Sequence, residues 1–286
     1  MGYIDDAFVK LKHNLEITPT EQKLAAARHH SVRDHVRGRW QLVDDFLTGS
    51  YRRETKTKKL KDVDVFLVID PAGPQGRYRK RPPLEVLNAQ LTLLREGWPE
   101  AYRDGMAIVI PYGDDVMSIE AVPAFKRTGG GYFIPDPAPG AWIATNPKRH
   151  HELSTEKNEV CDGKYVPLVK MIKGINRELG EPVSPSFLLE VMAQTIIKTP
   201  IGRYQDEIVL FLATAADSID RVWLDPAGLG GDVNTVMSPT QKRAAADALR
   251  EAQAVAERAV DLEDDRQDRA AYTEWKKLFG DRMTQP

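Results

Sequence analysis

An α+β chain is predicted, with a sheet-forming first half and a helical second half, and three observations predict it. Residues 61–69 read Lys-Asp-Val-Asp-Val-Phe-Leu-Val-Ile, a run of β-branched, aromatic and aliphatic residues of strand length. Residues 42–47, 106–110 and 117–122 are shorter strand-like runs. From about residue 148 onward the apolar residues fall at helical spacing. At 286 residues the chain can form one large domain or two lobes, and the expected division is 1–147 and 148–286.

Composition excludes several classes. With 42% hydrophobic and 29% charged residues and no long uncharged apolar run, a membrane span is not expected. Residues 1–6 lack a basic segment leading into an apolar one, so secretion is not expected and the cytoplasm is. Cys161 is the only cysteine, which leaves no disulfide framework and no thiolate metal cluster. A net charge of −2 does not suit a dedicated duplex-binding protein. The charge is uneven, however. Arg52, Arg53, Lys56, Lys58, Lys59 and Lys61 crowd one loop, a pattern that favours a small polyanion. Asp261, Glu263, Asp264, Asp265 and Asp268 crowd another stretch and read as a solvated helix face or turn.

In chain order, Thr18-Pro19-Thr20-Glu21 is a capping box with proline at the first helical position. The helix it opens runs from 19 to about 39, with Leu24, Ala25, Val32, His35 and Val36 as its buried stripe. His29 and His30 are adjacent, cannot share a helix face, and read as surface residues. The strand at 42–47 delivers Gly49 and Ser50, where a small residue lets backbone N–H groups approach a phosphate and a hydroxyl adds a donor. On the strand at 61–69, Asp62 and Asp64 share one face while Val63, Val65 and Leu67 take the other. Their α-carbons lie roughly 6.5 Å apart, close enough for both carboxylates to hold hard cations. Together these residues suggest metal-assisted chemistry on a nucleoside triphosphate.

Residues 71–83 form a polar loop whose basic run, 77–81, serves either as a solvated surface or in nucleotide contact. A helix over 84–96 follows, then the strands at 106–110 and 117–122, joined by a turn at Tyr112-Gly113-Asp114-Asp115. Glu120 sits between Ile119 and Ala121 on the second of these strands and needs a cation or water, which makes it a candidate third ligand. Residues 127–147, rich in Gly and Pro, read as a long irregular loop, in which Trp142 either stacks on a base or, more commonly for tryptophan, enters the core.

The second half reads as helices at 166–178, with Lys170 and Lys173, and at 185–198, opening on Ser186. A further helix at 204–218 offers Ile208, Leu210, Leu212 and Ala215 to the core. A flexible connector at 230–234 precedes a second capping box at Ser238, and helices to about 260 and at 271–279 close the chain.

Gly49-Ser50-Tyr51-Arg52-Arg53, then Asp62-Val63-Asp64-Val65-Phe66, then Ile119-Glu120-Ala121-Val122-Pro123-Ala124-Phe125 resemble, in that order, the signature of the polymerase-β-like nucleotidyltransferases. More narrowly the chain resembles the group containing cyclic GMP-AMP synthase, oligoadenylate synthase and the bacterial antiphage enzymes that make cyclic oligonucleotides. The resemblance spans residues 18–281. It implies a nucleotidyltransferase core with a spine helix, a helical lobe and an active site in the cleft between them.

It also implies two Mg²⁺ ions, with Mn²⁺ as an alternative, on Asp62, Asp64 and Glu120, the last standing where the family carries aspartate as often as glutamate. Lys173 and Ser186 match the pair that grips the triphosphate tail, with Ser50 beside them. Ribonucleoside triphosphates would be both donor and acceptor, and repeated transfer with ring closure would give a cyclic di- or trinucleotide for antiphage signalling. No zinc-ligand set parallels the animal DNA sensor, so activation by double-stranded DNA is not expected, and no regulatory protein partner is legible. Two rivals stand beside this expectation: transfer to RNA, a small molecule or a protein, and a catalytically silent nucleotide-binding module.

Overall fold

The computed structural model describes residues 2–114, 116–138 and 140–286. It divides into two compact units: Ile17–Glu54 with Lys59–His151, and residues up to Glu16 with Thr55–Lys58 and Glu152–Pro286. This differs from a single cut at 147. The first helix, α1 (Tyr3–Leu15), belongs to the helical unit, because Ile4, Ala7, Phe8, Leu11 and Leu15 recur at helical spacing and are all buried in that unit's core.

The sheet unit opens with α2 (Pro19–Arg37). Its capping box forms as the sequence predicts: Glu21 N–H donates to Thr18 Oγ1 at 3.2 Å, and Thr18 N–H to Glu21 Oε2 at 2.7 Å. The other Glu21 oxygen accepts Leu60 N–H at 2.8 Å, so one carboxylate fixes both a helix start and the approach to the next strand. Then come β1 (Leu42–Leu47), the single turn α3 (Gly49–Arg52), β2 (Asp62–Ile69), a 3-10 turn (Pro74–Lys80) within the expected polar loop, and α4 (Pro83–Arg95). The strands β3 (Tyr102–Asp104), β4 (Ala107–Ile110) and β5 (Ser118–Lys126) complete the main sheet in the order β1-β2-β5-β4-β3. β2 and β5 are parallel and the other neighbours antiparallel. Of the turn expected at 112–115, Asp115 lies outside the described residues.

Alternation decides which side chains the sheet buries. Val63, Val65, Leu67 and Ile69 enter one core with Val32 and Val36 of α2 and Val86, Leu87 and Leu94 of α4. Phe66 and Val68 face the opposite way, into a smaller cluster with Val122, Ala124, Tyr132 and Ile134. Fully burying each large aliphatic stabilises by about 1.5–3 kcal/mol, and a one-residue slip would exchange the two faces, so the register of β2 is strongly held.

Two expectations are corrected in this unit. Residues 127–147 are not an irregular loop: β6 (Tyr132–Asp136) and β7 (Ala141–Thr145) form an antiparallel hairpin, and β6 pairs with the end of β5. Tyr132 and Ile134 point into the core, which outweighs the Gly and Pro content around them. Pro139 of that stretch lies outside the described residues. Trp142 takes a packing role, donating from Nε1 to Arg81 O at 3.0 Å and meeting Phe125 edge-on at 5.4 Å.

His29, expected at the surface, is buried; its neighbour His30 is exposed. His29 Nε2 lies 3.0 Å from Asp45 Oδ1 on β1, and the other Asp45 oxygen accepts from Arg37 at 2.6 Å. Burial holds the His29 pKa below its ordinary value of 6.5, against the smaller opposing pull of Asp45. The unfolded chain therefore takes up this proton first, so the stability from neutral His29 is complete above pH 6.5 and is lost as pH falls below it. Melting temperature should drop on acidification from about pH 7.5 to about pH 5.5, and His29→Gln should flatten that slope in paired melting curves.

α5 (Pro147–Val160) leads from the sheet unit into the helical one. There α6 (Tyr165–Glu178), α7 (Phe187–Ile196), α8 (Tyr204–Ser218), α9 (Pro239–Asp264) and α10 (Asp268–Phe279) pack with α1 around Leu11, Leu15, Met171, Leu188, Phe211, Trp275 and Phe279. Ala245, Ala252, Ala256 and Ala259 form a small-residue stripe that lets α9 approach its neighbours.

Ile208, Leu212 and Ala215 enter this core as expected, but Leu210 is 48% exposed and Phe211 is buried instead. The 230–234 stretch is not a loose connector. Asp225 accepts from the backbone of Ala227, Leu229 and Gly230, and Asp232 from Trp223 and Asn234, while Asn234 is fully buried. Nor is the acidic cluster wholly solvated: Glu263 accepts from Trp275 Nε1 at 2.6 Å and pairs with Arg203, and burial raises its pKa. Among the described residues no helix is long and apolar enough to cross a membrane.

Candidate active site

The site is built from two strands and one turn of the sheet unit. On β2, Asp62 and Asp64 are half-buried, whereas Val63 and Val65 between and beyond them have no exposure at all. On β5, Glu120 is likewise half-buried between fully buried Ile119 and Ala121. The parallel register pairs Asp64 directly with Glu120, and Asp62 with Ser118. Paired positions on neighbouring strands lie about 4.8 Å apart and point the same way, so all three acids share the face that Phe66, Val68 and Val122 continue.

The turn between β1 and α3 closes against this face. Thr48 N–H donates to Asp64 O at 2.9 Å, which carries the antiparallel β1–β2 pairing to the level of the acid. Gly49 follows with φ at 62°, in the left-handed region. A Cβ there would overlap the Asp64 carboxylate, 2.7 Å from its Cγ, so the glycine makes room for that side chain as well as for the turn. Ser50 comes next, half-buried. Tyr51 packs on the large core and burial pushes its phenol pKa up.

Position 120 is fixed from several directions. β4 pairs Val109 with Glu120 on the side away from β2. Gln90 of α4, fully buried, donates to Ala121 O at 3.3 Å. Arg28 of α2, also buried, donates to Met117 O just before β5, pairs with Asp114 and lies 3.9 Å over the Tyr112 ring. Arg28 is not among the residues singled out from the sequence. Its signal was spacing, since it falls on the same helical stripe as Ala25, Val32 and Val36.

Lys173 and Ser186 belong to the helical unit. Lys173 Nζ lies 3.0 Å from Glu190 Oε1, with little of either side chain exposed. Ser186 is exposed at the N-cap of α7 and makes no capping bond with its side chain. Of the basic loop residues, Arg53 is buried while Arg52, Lys58 and Lys59 are exposed.

Three carboxylates on one partly open face are a hard-oxygen donor set that suits Mg²⁺ or Mn²⁺. Among the described residues no three His, Cys, Asp or Glu side chains are already gathered into a cation cage. Backbone register, rather than a closed ligand cluster, is what brings positions 62, 64 and 120 together.

A mixed sheet with acids on the paired β2 and β5, closed by a glycine-serine turn, is the frame on which the family match places the class: this is a nucleotidyltransferase. The family model of the Second Messenger Oligonucleotide or Dinucleotide Synthetase domain (SMODS) matches residues 2–158, and the chain belongs to this family of cyclic-oligonucleotide synthases.

The Cyclic AMP-AMP-AMP synthase of Acinetobacter sp. (strain ATCC 27244 / 9458) is 25% identical over 299 residues, which span 96% of this chain and 84% of that protein. CdnC of E. coli MS115-1, solved with ATP, superposes with a TM-score of 0.77 at 13% identity over 98% of each chain. The same protein in complex with HORMA-deltaN gives a TM-score of 0.75 at 14% identity, over 99% of this chain and 98% of that one.

Proposed function

We propose that this nucleotidyltransferase joins ribonucleoside triphosphates into a cyclic di- or trinucleotide second messenger, releasing pyrophosphate, and that the product serves antiphage signalling in the cytoplasm. The observation that carries this is the register of Asp64 against Glu120, two residues along from Asp62, beneath the Gly49 turn. The Acinetobacter relative, whose product is named as a cyclic trinucleotide, supports the ring-forming outcome. The E. coli structure with ATP supports a triphosphate as ligand.

Asp62, Asp64 and Glu120 would hold two Mg²⁺ or Mn²⁺ ions. Bound there, such ions supply charge neutralisation at the phosphates and a lowered pKa for an attacking hydroxyl. The chain itself positions the reactants. Gly49 and Ser50 would cradle phosphate oxygens, and Lys173 and Ser186 would bind the triphosphate tail. No nucleophilic side chain is required, because in-line phosphoryl chemistry runs on alignment and charge stabilisation. A partner protein comparable to the one solved with E. coli CdnC is the form of regulation that fits this assignment.

The test is mass spectrometry of products from the four ribonucleoside triphosphates with Mg²⁺ or Mn²⁺, after phosphatase and nuclease treatment. A small phosphatase-stable product of two or three nucleotides, formed with matching pyrophosphate release, is the expected result. A nucleotide tag on RNA, protein or a small acceptor, without any ring, would overturn the proposal in favour of the first rival. Triphosphate binding without turnover under all conditions would favour the second.

A further inference from the structure

All three acids stand near the beginnings of their strands. Asp62 is the first residue of β2 and Asp64 the third, and Glu120 is the third of β5. The ends of elements open most readily, so carboxylates that must keep a common geometry there need an anchor outside the ladder. α2 carries one. Glu21 and Arg28 lie a heptad apart, on one face of that helix. Glu21 Oε1 accepts Leu60 N–H at 2.8 Å, just before Asp62. Arg28 donates from Nη1 to Met117 O, just before β5. Between these two points the strands meet: Ser118 N–H donates to Lys61 O at 2.9 Å, and Ser118 pairs with Asp62 in the parallel register. Arg28 is 5% exposed; its other terminal nitrogen, Nη2, pairs with Asp114, and the guanidinium lies 3.9 Å over the Tyr112 ring.

We infer that Arg28 is a positioning residue for divalent-metal binding: it pins the start of β5 to α2 and so sets where Glu120 stands against Asp62 and Asp64. The inference rests on the assignment of these acids to metal made above, and every residue it uses belongs to the sheet unit. A buried guanidinium is kept at a cost, and well-packed apolar side chains of similar volume often hold a core as well or better. Packing alone therefore does not call for arginine at this position. What arginine adds is direction. Its planar fork fixes two acceptors at once, here the Met117 carbonyl and the Asp114 carboxylate, both on the segment that turns from β4 into β5. The β2–β5 ladder holds the two strands to each other. Glu21 and Arg28 hold that pair to the helix, so the first residues of neither strand can peel away.

The experiment measures Mn²⁺ binding by electron paramagnetic resonance and backbone hydrogen exchange, both without nucleotide, in the parent, Arg28→Met, Arg28→Lys and the Asp62→Asn, Asp64→Asn double variant. Arg28→Met should weaken Mn²⁺ about tenfold, the lower end of what losing a support behind the ligands costs. Exchange should quicken at 61–64 and 117–120, while 66–69 at the far end of β2 keeps its protection. A merely structural arginine would instead quicken exchange along the whole of β2 and lower the melting temperature, with Mn²⁺ affinity unchanged; that result overturns the positioning role. Arg28→Lys covers the case in which Arg28→Met does not fold. It keeps the charge but cannot hold both acceptors in a fork, so it should weaken Mn²⁺ by about threefold with the same local exchange. In that case, parent-like affinity and exchange in Arg28→Lys overturn the role. If the Asp62→Asn, Asp64→Asn variant binds Mn²⁺ like the parent, the acids are not the metal site and the functional reading fails instead, so the two failures are told apart.

Discussion

Replacing Asp62 and Asp64 together by asparagine should abolish pyrophosphate release, by roughly a thousandfold or more, and leave the fold intact. Asparagine matches aspartate in size, so the close fit of Gly49 against position 64 survives. The Thr48 N–H bond to the backbone oxygen of residue 64 does not involve the side chain. What disappears is two negative charges from a half-exposed face, and with them most of the capacity to neutralise phosphate charge during transfer. Divalent ions at such a site contribute several kcal/mol of transition-state stabilisation, and each 1.36 kcal/mol is a factor of ten in rate. A phosphate-release assay coupled to pyrophosphatase gives the rate, and a melting curve gives the fold. A variant within tenfold of the parent would remove Asp62 and Asp64 from the chemistry. A variant that melts far below the parent would show instead that the acids are structural.

Gly49→Ala should lower turnover by about a hundredfold with only a modest loss of stability. Two effects combine at this position. The left-handed backbone, with φ at 62°, costs an alanine about 1–2 kcal/mol. The added methyl also runs into the Asp64 carboxylate, and either the turn or the acid must move by a large fraction of an ångström. Displacements of about 1 Å in a positioned group cost on the order of a hundredfold in rate. Gly129→Ala separates the two effects. Gly129 also has positive φ, at 88°, but a Cβ there meets nothing within 4 Å. It should lose stability through backbone strain and keep its activity. If both alanines reduce turnover equally, the contact between Gly49 and Asp64 is not what matters.

The sequence was most informative where chemistry and periodicity coincide. On β2 the acids interrupt an otherwise apolar strand at every second position, and alternation leaves only one face for them. Thr18 and Ser238 announce their helices through capping boxes that are local in sequence and form as local bonds. Features decided by distant partners were not legible. His29 is buried because Asp45 of β1 waits beneath it, sixteen residues on, whereas adjacency to His30 says only that the two rings part. Glu190 meets Lys173 and Thr55 across separations of 17 and 135 residues.

Other misses were of a different kind, since the pattern was present but punctuation hid it. Gly129, Gly130 and Gly131 suggested a loop, although Tyr132 and Ile134 alternate inward just beyond them. On α8, Leu210 is exposed because it lies off the face shared by Ile208, Leu212 and Ala215, and Phe211 completes that face. Arg28 lies on a buried stripe, but a charged residue is seldom interior unless it is paired.

β5 serves two neighbourhoods in succession. Its first half carries Glu120 and is clasped by β2 and β4, while its last residues, Phe125 and Lys126, hand over to the β6–β7 hairpin. The clasp is complete before the handover, so a longer, shorter or rebuilt hairpin cannot slide the acid along its neighbours. That end of the unit can therefore be remodelled while the position of Glu120 stays put.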